Sequence, residues 1–136
     1  MDGMWMAREP ESEKITINLG FVDLGQIDLL VEDGFYSNRT DFIRTAIRNQ
    51  LSTHGEVLKK SVERREMVLG LQRYSRRDLE KVVAAGEQLQ IQVLGLASID
   101  DDVTPQLARQ AIASIAVLGA LRASAEVKAA LADRTL

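Results

Sequence analysis

Hydrophobic and polar positions alternate strictly from Glu13 to Leu19, with Ile15, Ile17 and Leu19 on one side and Lys14, Thr16 and Asn18 on the other. That period of two is the mark of a strand with one buried face. Beyond it the period lengthens. Asp23 followed by Gln26 reads as a capping box, and Leu24, Ile27, Leu30 and Val31 form an apolar stripe that runs to a stop at Gly34. Asn38 followed by Asp41 marks a second start, ahead of Phe42, Ile43, Ala46, Ile47 and Leu51 at helical spacing, and this pattern breaks near Gly55. The spacing predicts one strand and two short helices over residues 13–54.

A strand and two helices in some forty residues bury too little surface to stand alone, and a lone strand leaves its backbone groups unpaired. An intertwined dimer that pairs the two strands antiparallel meets both needs. The stretch KITINL, the helix, and then GFYSNRTDFIRTAIRNQL resemble the ribbon-helix-helix repressors of the MetJ/Arc and CopG type, over about 40 of the 136 residues. The resemblance implies that Lys14, Thr16 and Asn18 contact bases in double-stranded DNA as the polar face of the ribbon. It implies also that Asn38, Arg39 and Thr40, at the start of the second helix, hold a phosphate. A helix N-terminus, with free N–H groups and a positive dipole end, suits an anion. Two positions depart from the pattern: Lys14 stands where Arg is common, and Gly20 where a capping residue or Pro often sits.

The second half carries a repeat. Val-Leu-Gly occurs as Val68-Leu69-Gly70, Val93-Leu94-Gly95 and Val117-Leu118-Gly119, at spacings of 25 and 24 residues. Gly70, Arg73 and Ser75 recur as Gly119, Arg122 and Ser124, and Ile91 recurs as Ile115. A helix start follows each copy: Ser75 with Asp78, Thr104-Pro105, and Ser124 before an Ala-rich run, with Gly86 ending the first of these helices. The unit is strand, glycine-marked turn, helix, with about four extra residues in the acidic loop at Asp100-Asp101-Asp102. The expected architecture is therefore α+β: a βαα head followed by three β-α repeats with parallel strands, solenoid-like. Ile112 to Leu121 also fits a continuation of the preceding helix, so a mostly helical C-terminal region is the alternative. Three short units are near the minimum for such a stack, and their edge strands invite another subunit.

Charge sharpens this division. The net charge is -3, unfavourable for a DNA binder, whose affinity rests on phosphate neutralisation. Residues 1–54 carry 5 basic and 9 acidic side chains, 55–81 carry 8 and 5, and 82–136 carry 4 and 6. DNA contact thus depends on placed residues. Arg44 and Arg48 are further phosphate candidates, and Lys59, Lys60, Arg64, Arg65, Arg73, Arg76 and Arg77 form a basic stretch, read as a solvated linker face or else as a contact to flanking DNA backbone. The domains expected are a flexible tail over 1–12 containing Trp5, the ribbon-helix-helix head over 13–54, a basic linker over 55–65, and an oligomerising repeat region over 66–136.

Absent chemistry narrows the function. With no Cys and one His, His54, disulfides and thiolate metal sites are excluded, and no cofactor or metal is expected. The three adjacent aspartates lack the spaced ligands and glycine of a calcium loop. No acid-base pair, nucleophile motif or phosphate loop suggests an enzyme. The start has neither the basic flank nor the apolar run of a signal peptide or span, so a cytoplasmic location and no membrane are expected. The reading is a sequence-specific transcriptional regulator, a repressor, acting as a homodimer or higher homo-oligomer. The alternative is an antitoxin-like or architectural protein whose C-terminal half binds a protein partner. Arg73 and Arg122, near helix starts at the strand ends, are the candidates for sensing an anion.

Overall fold

The computed structural model describes residues 12–136, so Trp5 and most of the expected tail lie outside the described residues. The chain divides into two compact units, up to residue 57 and from 58 onward.

In the first unit, residues 13–20 carry no helix and no strand ladder. Strand structure requires a hydrogen-bonding neighbour, and no described segment of the same chain supplies one. Helix α1, Phe21–Glu32, starts earlier than the Asp23 capping box implies. Gly20, in extended backbone, is the N-cap without any side-chain bond, and its carbonyl accepts the Leu24 N–H at 3.1 Å. Asp23 thus lies inside the first turn, where its negative charge faces the positive end of the helix dipole. The predicted stop is found. Gly34 has φ 88°, the Phe35 N–H reaches the Leu30 carbonyl at 3.0 Å and the Gly34 N–H reaches that of Val31 at 3.0 Å. This Schellman closure uses up two carbonyls left over at the helix end.

Helix α2, Arg39–Thr53, is capped as the sequence predicts. The Asn38 side chain accepts from the Asp41 N–H at 2.8 Å, while the Asp41 carboxylate accepts from the Ser37 N–H at 2.9 Å. Tyr36 and Phe42 meet edge to face, centroids 5.0 Å apart. Of all these residues only Ile27 is buried. Ile15 (72% exposed), Ile17, Phe21 (92%), Val22, Ile47 and Leu51 are open to solvent. The described residues of this unit have apolar faces without a core.

The stretch expected as a basic linker is helical: α3, Gly55–Arg64, follows α2 with His54 between them. It ends at Glu66, which has φ 53°, with the Met67 N–H on the Val62 carbonyl at 3.0 Å.

The second unit is the predicted series of β-α units. Its elements are β1 (Val68–Tyr74), α4 (Arg76–Ala84), β2 (Leu89–Ile99), α5 (Pro105–Ala111), β3 (Ile112–Arg122), α6 (Ala125–Ala130) and a 3-10 turn (Ala132–Arg134). The strands form an open parallel sheet in the order β1-β2-β3. Ile112 onward is strand, which sets aside the mostly helical alternative. Each helix begins at its predicted cap: the hydroxyls of Ser75, Thr104 and Ser124 accept from the N–H groups of Asp78, Leu107 and Val127. Leu79, Ile91, Val93, Ala97, Ile99, Ala108, Ile112, Ile115, Val127 and Leu131 make the core, between one face of the sheet and α4 to α6.

The Val-Leu-Gly copies stack in register. Val68 pairs with Val93 and Val93 with Val117, so Gly70, Gly95 and Gly119 form a column across the sheet. All three have φ between 118 and 141°, open to glycine and strained for other residues. A Cβ on Gly95 would collide with the Gly70 carbonyl, and one on Gly119 with that of Gly95, whereas one on Gly70 meets nothing within 4 Å. The extra acidic residues are compensated elsewhere: Asp100–Thr104 replace the single Ser75, but α5 is shorter than α4 and passes into β3 with no intervening turn.

Gly70→Ala is expected to cost about 1–3 kcal/mol of unfolding free energy through backbone strain alone. Gly95→Ala, which adds a clash with backbone, should cost more, on the order of 4 kcal/mol. Urea unfolding curves compare the two directly, and equal losses would contradict the column geometry.

Candidate nucleic-acid interface

Lys14, Thr16 and Asn18 are all exposed, on a segment that has no strand ladder in the single chain. They alternate with Ile15, Ile17 and Leu19, so an antiparallel pairing with a second copy would gather six polar side chains on one face. The structure shows no ribbon face in the single chain, because the ladder that would define it is missing among the described residues.

The phosphate candidates are ordered differently from the sequence expectation. Asn38 and Thr40 do come together at the start of α2, where a hollow of about 350 Å³ is lined by Ser37, Asn38, Thr40, Asp41, Arg44 and Arg48. Arg39 does not line it. Its guanidinium makes a two-pronged contact with Asp28 on α1, Nε to Oδ1 and Nη2 to Oδ2, both at 2.8 Å. This pair ties α1 to α2, holds the Asp28 carboxyl below its ordinary range through the hydrogen bonds from Arg39, and raises the Arg39 guanidinium in turn.

Arg44 and Arg48 line the hollow that Arg39 does not. Thr40, Arg44 and Arg48 are spaced by four, which puts them on one helix face, while Arg39 is turned about 100° away from Thr40. That signal was present in the sequence; the acidic partner on α1 was the part that periodicity does not show. Asp41 contributes a carboxylate to the same hollow, but it already accepts the Ser37 N–H.

The chain belongs to the ribbon-helix-helix transcriptional regulator family. The model of that family matches residues 10–128, and so covers the head, α3 and nearly all of the repeat unit rather than the first fifty residues alone. No curated protein and no solved structure matches the chain.

For a member of this family, the other clusters of the chain have simpler occupations. Arg73 is bound to Asp100 through Nε at 2.9 Å and Nη2 at 2.6 Å, so its guanidinium is committed to the acidic loop and held above its ordinary value by it. Among the described residues no group of carboxylates and His is arranged to hold a metal ion. None of the described helices is long and apolar enough to cross a membrane.

The Asp28–Arg39 pair gives a titration test. A carboxyl lowered in the folded state adds stability above its unfolded value, near pH 4, and loses it as pH falls through the lowered folded value. In Arg39→Gln the Asp28 carboxyl should titrate closer to the ordinary carboxylate range, and the stability gap between variant and parent at pH 7 should close in acid. Carbon-detected NMR titration reads the first, and acid unfolding followed by circular dichroism reads the second.

Proposed function

We propose that this ribbon-helix-helix regulator is a sequence-specific DNA-binding repressor that works as an intertwined dimer. The carrying observation is the row of exposed Ile15, Ile17, Leu19, Phe21 and Val22 beside a head in which Ile27 alone is buried. Apolar surface of this extent, next to backbone without ladder partners, is completed by a second copy of the same segment. Pairing places Lys14, Thr16 and Asn18 of both copies on the opposite face of a two-stranded ribbon, a shape that enters the major groove. There an Asn amide matches the adenine edge and a Lys reaches guanine acceptors.

Phosphates are then held by the start of α2: the free N–H groups of the first turn, the Thr40 hydroxyl, and Arg44 and Arg48 above it. These contacts fix register, and the ribbon side chains carry the sequence discrimination. Arg39 acts at one remove, by fixing α2 against α1. Bound in the major groove at an operator, the dimer would exclude other proteins from that site, which is the simplest form of repression. A cytoplasmic location goes with this role. The second unit joins copies together. Its closed core and satisfied caps favour this reading over an antitoxin-like one, in which a C-terminal tail orders on its partner.

Binding to duplex operator and to scrambled duplex separates the two contact sets. With Lys14, Thr16 and Asn18 all changed to Ala, discrimination between the two should collapse while salt-sensitive binding persists. With Arg44→Gln and Arg48→Gln together, affinity should fall for every sequence, and the slope of log K against log salt should drop by about two per head, or about four per dimer. Retained discrimination in the triple Ala variant would sink the base-reading role.

A further inference from the structure

Parallel sheets are ordinarily covered on both faces, and among the described residues the core helices lie on one face of this one only. The register defines what the other face presents. Leu69, Leu94 and Leu118 stand side by side across the three strands, and Leu71, Leu96 and Ala120 form the next row. Leu69 is 69% exposed and Leu118 50%. No charged side chain enters these two rows; Arg73 and Arg122 lie one row further along. The sheet edge is a poorer site for a partner on the β3 side, because residues 135–136 already bind there, with the Leu136 N–H on the Ile115 carbonyl at 2.8 Å.

We propose that this leucine face is covered by the same face of a second copy of the chain, so that the repeat units of a dimer pack sheet to sheet. The inference rests on the reading of the head as a ribbon dimer, and the area of the face explains why. Three strands about 4.8 Å apart and two rows of side chains offer on the order of 300 Å² per copy, well under the roughly 800 Å² per partner of a stable stand-alone complex. A freely diffusing protein would bind such a patch weakly. A copy already tethered through the ribbon is present at an effective concentration in the millimolar range, where a small apolar contact suffices. The patch also suits itself: a two-fold axis brings identical surfaces together, and the two leucine rows carry no charge themselves, the charges of Arg73 and Arg122 and of Arg64, Arg65 and Glu66 lying at their border.

Leu94, on the central strand, is the residue that a two-fold axis through the middle of the face brings against its own counterpart. The chain has no Cys, so Leu94→Cys and, as a control on the solvent side of α6, Glu126→Cys give single-thiol versions of the full chain. A short bis-maleimide is expected to link Leu94→Cys copy to copy and to leave Glu126→Cys unlinked. The exposed Leu118→Asp, which leaves the core intact, is expected to raise the dimer dissociation constant about tenfold or more with an unchanged far-ultraviolet spectrum. A dimer by light scattering whose Leu94→Cys thiol stays unlinked, whether it is freely labelled or shielded by something else, overturns the face pairing and leaves the ribbon standing. A chain that is monomeric at about 100 μM, far above the working range for a regulator of nanomolar affinity, overturns both.

Discussion

Backbone pairing governs this molecule at both ends, satisfied within the chain in one place and left open in the other. In the repeat unit each strand finds its neighbour one unit later in the sequence, so Val68, Val93 and Val117 fall into line and the helices between them cover a common core. In the head the one segment patterned as a strand has no neighbour within the described chain. An unpaired row of N–H and C=O groups beside exposed isoleucines is costly in isolation and well matched to an identical copy. In the proposed pair the polar side of the segment, and with it the candidate base-reading residues, would lie on a surface that neither copy has alone.

The glycine column shows how closely the repeat depends on that pairing. At Gly95 and Gly119 the neighbouring backbone approaches to where a side chain would start, and the positive φ there would already disfavour any other residue. Three recurrences of Val-Leu-Gly in the sequence therefore record a single structural event, the stacking of one bend on the next. This is why the C-terminal architecture was legible from spacing alone, caps included. The helix starts at Ser75, Thr104 and Ser124 were legible for a related reason, since a cap is a local bond between residues three apart.

What was not legible depends on contacts that periodicity does not encode. Asp23 looked like a cap, but Gly20 opens α1 a turn earlier and leaves Asp23 inside the helix. Arg39 was grouped with Asn38 and Thr40 by its place in a motif; in the structure it pairs with Asp28 on the preceding helix, and Arg44 and Arg48 line the hollow with Asn38 and Thr40. The bare face of the sheet was hidden because Leu94, Leu96, Val93 and Ala97 make both sides of β2 apolar, which erases the alternation that would tell inside from outside. The stretch after α2 read as a linker by its charge, and it forms α3 with the basic residues along it.

The loop Asp100–Thr104 and the junction Ala111–Ile112 sit one after the other in the same repeat with opposite tolerances. At the loop five residues do the work that Ser75 does alone in the unit before, with Asp100 pinned by Arg73 and by the Tyr74 carbonyl at one side. At the junction the helix becomes strand without a spare residue, and the Arg134 guanidinium bonds the carbonyls of both Arg109 and Ile112 across it, each at 3.0 Å. Relatives that lengthen or shorten this unit would therefore vary at Asp101 and Asp102 and keep the junction fixed. A reporter peptide grafted into the chain would be carried at the former and would unravel β3 at the latter.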